Sequence, residues 1–63
     1  MSPAPIPATF IVRRRRGAAV VAERRFPARV LDVHGDKVDL EYVRDDGRIR
    51  WCVAPADQVE VHP

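Results

Sequence analysis

The stretch DLEYVRDDGRIRW, residues 39–51, reads as a strand, a tight turn and a second strand, and its phase decides the fold. Val38, Leu40 and Tyr42 alternate with Asp39 and Glu41, the period of two expected of a strand with one wet face. Asp46-Gly47 follows as a hairpin signal, because glycine accepts positive φ without steric cost. Beyond it Ile49, Trp51 and Val53 alternate with Arg48, Arg50 and Cys52, an alternation that turns the first three inward. It sets Arg48 or Arg50 opposite Asp39 or Glu41, as cross-strand ion pairs worth a few tenths of a kcal/mol to ~1 kcal/mol.

Upstream, ARVLDV (28–33) is a third strand of this meander. Its apolar face changes side between Val30 and Leu31, as at a bulge or a barrel bend. His34, Gly35 and Asp36 supply turn chemistry between the strands. Pro27 lacks a ladder donor, so the strand is an edge or begins just after it. AAVVAERR (18–25) lies between Gly17 and Pro27, which confine any helix to about two turns, too short to stand without tertiary support, and it is read as extended. TFIVRRRR (9–16) is a first strand that ends in a basic loop, Arg13, Arg14, Arg15 and Arg16, closed by Gly17. Before it, residues 1–7 alternate proline with small residues, a composition of extended, poorly ordered backbone. Downstream, APADQ (54–58) breaks the pattern as a single helical turn and VEV (59–61) closes it with a short strand. The expected fold is all-β, a small five-stranded SH3-like barrel over residues 9–63, preceded by a disordered Pro-rich tail over residues 1–8.

At 63 residues the chain is one small domain, and such a domain buries only about 60% of its unfolded surface. Cys52 is the single cysteine, so no internal disulfide forms, and no Cys/His set gathers around a metal. With those staples missing, self-association or a place in a larger complex becomes the expectation. The start of the chain lacks the basic segment and apolar run of a signal peptide, and no stretch approaches the ~20 apolar residues of a membrane span. A soluble, cytoplasmic protein is expected.

Charge is unevenly spread beneath the net value of +2. Through Leu31 there are seven arginines against one glutamate, and from Asp32 onward eight acidic residues against four basic ones. Such a layout suits a basic face for nucleic acid or for an acidic partner, or a charge dipole that favours self-association.

Residues 26–59, FPARVLDVHGDKVDLEYVRDDGRIRWCVAPADQV, resemble a Tudor domain in the aromatic opening a strand, the VDLEY strand, the acidic-glycine turn and the closing helical turn. The resemblance covers just over half of the chain. In Tudor domains that read methylated arginine or lysine, an aromatic cage holds the alkylammonium by cation–π attraction. By position Phe26 and Tyr42 match two cage aromatics. The other cage positions fall on Asp45 and near Ala19, and the usual asparagine after the glycine is absent, so the resemblance implies the fold and not methyl reading. Phe26, Tyr42 and Trp51 are then chiefly core, with one edge left as an aromatic stacking platform.

No Ser/His/Asp set, HExxH or phosphate-binding loop occurs, so no catalysis, cofactor or metal is expected, and His34 and His62 read as surface residues. The residues expected to bind are arginines. Arg13, Arg14, Arg15 and Arg16 form the run, and Arg24, Arg25 and Arg29 extend it if the first two strands are neighbours. Clustered guanidiniums bind phosphates bidentately and release counterions. The expectation is a non-catalytic module that contacts DNA or RNA through its Arg-rich half. The alternative is an adaptor or inhibitor that docks on an acidic protein surface.

Overall fold

The structure, a computed structural model, describes residues 5–62. Five antiparallel strands form one sheet in the order β4-β3-β2-β1-β5. They are β1 (Ile6–Arg16), β2 (Ala19–His34), β3 (Lys37–Val43), β4 (Ile49–Pro55) and β5 (Val59–Val61), with a 3-10 turn at Ala56–Gln58 before the last. No helix among the described residues is long and apolar enough to cross a membrane.

The all-β expectation holds, but the sheet is not closed as a barrel: β4 and β5 lie at opposite ends of it and share no pairing. Three-residue β5 reaches only Ala8, Thr9 and Phe10 of β1, which leaves the outer side of β4 free. The strand start also moves. β1 begins at Ile6, and Ala8, placed in the tail by composition, is 1% exposed in the core. Of the rest of the expected tail, Pro5 precedes β1 and residues 1–4 lie outside the described residues.

AAVVAERR is extended, as expected, and continues through Pro27 into ARVLDV as one 16-residue strand. Pro27 neither ends β2 nor starts a new strand. Pairing with β3 runs only from Ala28 to His34, so at Pro27 the β3 side of β2 has just become a free edge, where proline is tolerated. The change of face at Val30 and Leu31 is a bulge: Val30 pairs with Leu40 and Asp32 with Asp39, leaving Leu31 between them without a partner.

The core lies on one face of the sheet, where Ala8, Phe10, Val30, Val38, Leu40 and Ala54 cluster with Phe26, Ala28, Tyr42, Cys52 and Val59 packed against them. Leu40 is completely enclosed. Phe10, Phe26 and Tyr42 form a triangle of tilted rings with centroids 4.9–6.4 Å apart, a geometry worth about 0.5–1.5 kcal/mol per pair beyond area burial.

The β3–β4 register differs from the sequence expectation by one residue. Leu40 pairs with Cys52, Glu41 with Trp51 and Tyr42 with Arg50. Cys52 and Ala54 therefore face the core, and Ile49, Trp51 and Val53 face solvent at 59%, 63% and 50% exposure. The turn is the cause. Gly47 N–H donates to the Arg44 carbonyl and Arg44 N–H to the Arg48 carbonyl, enclosing a three-residue loop with Gly47 at φ +81. A two-residue primed turn on Asp46-Gly47 would need positive φ at Asp46 as well, whereas the three-residue loop needs it only at glycine. One residue more in the loop turns every β4 side chain to the other face. The expected ion pairs go with it: Arg48 sits in the turn beside Asp46 at 3.9 Å, and Arg50 lies across from Tyr42.

Gly47→Val tests this loop. A Cβ there meets nothing within 4 Å, so the loss is conformational, and a β-branched residue held at positive φ is expected to cost at least ~1–2 kcal/mol. Thermal melting checks it. An unchanged midpoint would contradict the left-handed turn.

Candidate nucleic-acid interface

β1 and β2 are longer than anything that flanks them. Past Phe10 on β1 and before Ala28 on β2 no third strand joins the ladder, so the segment paired from Ile11↔Arg25 to Arg16↔Ala19 is a two-stranded ribbon standing beyond the sheet. Its tip is a two-residue loop, Gly17 and Ala18, with Gly17 at φ +61 and Ala18 not positive, the pattern of a type II′ hairpin turn. A bulge at Val21 sits between Arg14↔Ala22 and Arg15↔Val20 and tightens the local twist.

The ribbon sorts the expected arginines into three groups. Arg13 and Arg25, at its base, both meet Glu23 at 3.4 and 3.2 Å, Arg25 also reaches Glu60 at 3.4 Å, and Arg13 donates to the Asp57 carbonyl. Arg24 pairs with Asp45 of the β3–β4 turn and lays its guanidinium 5.1 Å from the centre of the Phe26 ring. Arg14, Arg15 and Arg16 make no ion pair among the described residues and are all exposed. Within the ribbon, the charge without an ion pair therefore lies at the tip, flanked by exposed Val20 and Val21. Arg29 stands apart from the ribbon, between Pro7 of β1 and Glu41 of β3.

Phe26, Tyr42 and Trp51 are not brought together. The first two pack with Phe10 on the core face, and Arg24 lies against Phe26, while Trp51 stands on the opposite face of β4. Phe10, which the resemblance left out, completes the ring cluster. Its place could be read from its position in the first strand, two residues beyond Ala8 on the same face.

A second cluster was missed. Asp32, His34 and Asp39 converge where β2 and β3 meet, with His34 Nε2 3.0 Å from Asp39 Oδ2 and 3.3 Å from Asp32 Oδ2. The hydrogen bond to Asp39 and the charges of both carboxylates raise the His34 pKa above its ordinary value. Cys52 is shifted the other way from an activated nucleophile, since burial pushes its thiol up.

Compared with known proteins, the chain matches no family model, no curated protein and no solved structure.

Proposed function

We propose that this chain is a non-catalytic binding module of the small SH3-like, Tudor-like kind that contacts nucleic acid through the β1–β2 ribbon. The observation that carries the reading is the free charge at the tip: three exposed arginines without an ion pair among the described residues, on a ribbon clear of the sheet. A two-stranded ribbon has the width of the DNA major groove, and unpaired guanidiniums are the groups that neutralise phosphates. Strand order and the turn before β5 support the SH3-like assignment. Phe26 and Tyr42, which pack with Phe10 and, for Phe26, against Arg24, are given no part in this reading.

The test is anisotropy titration of labelled duplex DNA, single-stranded DNA and RNA across a range of salt. Binding with a steep negative salt slope, strongest for duplex, supports the reading; no salt-dependent binding to any of the three removes it.

The outer face of β4 favours a second role, in protein contact. Ile49, Trp51 and Val53 form an exposed apolar column on a strand whose outer backbone edge is unpaired within the sheet. A second copy of the chain fits it best, since an antiparallel β4–β4 pairing sets the same column and the same edge against themselves about a twofold axis. Sedimentation of the full chain is expected to give a dimer that Trp51→Glu converts to monomer. A monomeric parent chain would rule this contact out.

A further inference from the structure

The Asp32, His34 and Asp39 cluster lies at the end of β2 opposite to the arginine tip, and three features of the fold build it. Asp32 and His34 are two residues apart on β2, so they share one face. The bulge at Leu31 slides Asp32 into register with Asp39, so two carboxylates stand directly across the ladder from each other, an arrangement that like charges disfavour. The two-residue turn at Gly35 and Asp36 then pairs His34 with Lys37 and holds the imidazole beside both carboxylates. Asp32 is itself oriented: its Oδ1 accepts the Val33 N–H at 2.8 Å, which leaves Oδ2 toward His34.

We propose that Asp32, His34 and Asp39 form a binding site for a divalent transition-metal ion of the Zn²⁺ type. The three donor atoms lie within 4.8 Å of one another, two of the separations being 3.0 and 3.3 Å. Ligands at about 2.0–2.2 Å from a tetrahedral ion are about 3.3–3.6 Å apart, so the donors need only small shifts to surround one. A cation between the facing carboxylates offsets their repulsion, and an imidazole beside two carboxylates selects Zn²⁺, Co²⁺ or Ni²⁺ over Mg²⁺ or Ca²⁺. Asp32 and His34 are exposed and Asp39 is half-buried, so a fourth position stays open to water or to a ligand atom from another molecule. Lys37 on the same face and Asp36 in the turn are the other charges near it, and they oppose each other.

The experiment is calorimetric titration of the full chain with Zn²⁺ alone, with Mg²⁺ as comparison. One saturable Zn²⁺ site per chain is expected, weakened about tenfold or more by His34→Ala and by Asp39→Asn and kept by His62→Ala. Amide resonance broadening by substoichiometric Co²⁺ on the parent chain locates the ion without any variant, and is expected around residues 32–39. Absence of saturable Zn²⁺ binding, affinity unchanged in His34→Ala, or broadening centred elsewhere overturns the site.

Discussion

Replacing Arg14, Arg15 and Arg16 with alanine is expected to remove most of the salt-dependent affinity for duplex DNA while leaving the melting temperature unchanged. Each phosphate neutralised contributes about −0.9 to the slope of log affinity on log salt, so three contacts account for about 2.7 of that slope. Measured at about 0.1 M salt against a 1 M reference, that difference amounts to roughly 500-fold in affinity. The fold is spared because none of the three side chains is buried or ion-paired among the described residues, and exposed substitutions of this kind usually fall within about ±0.5 kcal/mol. Arg13→Ala and Arg25→Ala are the internal comparison. Their guanidiniums are already held by Glu23, so each is expected to change the slope by much less than one contact. Anisotropy titrations at four or more salt concentrations give the slopes directly. A triple variant with the parent slope would take the ribbon tip out of the proposed interface.

The second large effect is on stability. Leu40→Ala is expected to remove roughly half or more of the chain's stability. Leu40 is the one large side chain fully enclosed among the described residues, and leucine-to-alanine changes at such positions cost about 2–5 kcal/mol. At about 0.05–0.15 kcal/mol per residue, a chain of 63 residues has only roughly 3–9 kcal/mol in total. The void cannot close easily, since Leu40 is held in register between Val30 on β2 and Cys52 on β4. Urea denaturation of parent and variant measures the difference. A loss below about 1 kcal/mol would mean that the side chain is not the centre of the core.

The sheet's core face leaves little stability to spare, and that core holds the base of β1 and β2 while their far halves run on as a ribbon whose base is tied to the rest of the chain by Arg13, Arg24 and Arg25 and whose tip is not. An isolated two-stranded hairpin is marginal in water, so the ribbon depends on its anchoring at Phe10 and Phe26, where the ring cluster begins.

Much of the architecture was legible from residues alone. The alternation of Val38, Leu40 and Tyr42 located β3 and its buried face, the phase change at Val30 and Leu31 located the bulge, and Gly47 marked the turn. The arginine run was equally plain, but it continues β1 in pairing with β2 and does not form the expected basic loop. These are local properties: side-chain period, glycine at positive φ and charge density act within a few residues of chain, and a linear pattern records them.

What the linear pattern could not decide was parity and partnership. Whether the loop after Val43 encloses two residues or three depends on which turn the closed hairpin tolerates, and that one residue moved Trp51 from the expected core to the open face of β4. Which arginines stay free was likewise tertiary, because Arg24 is matched by Asp45 and Arg25 by Glu60, 21 and 35 residues away in sequence. The same holds for Asp32, His34 and Asp39, which read separately as surface residues until the Leu31 bulge set two of them face to face. Residue type and spacing along the strand determined what each segment of this protein is. The register between strands, set by the energetics of turns and of one small core, determined which side chains met.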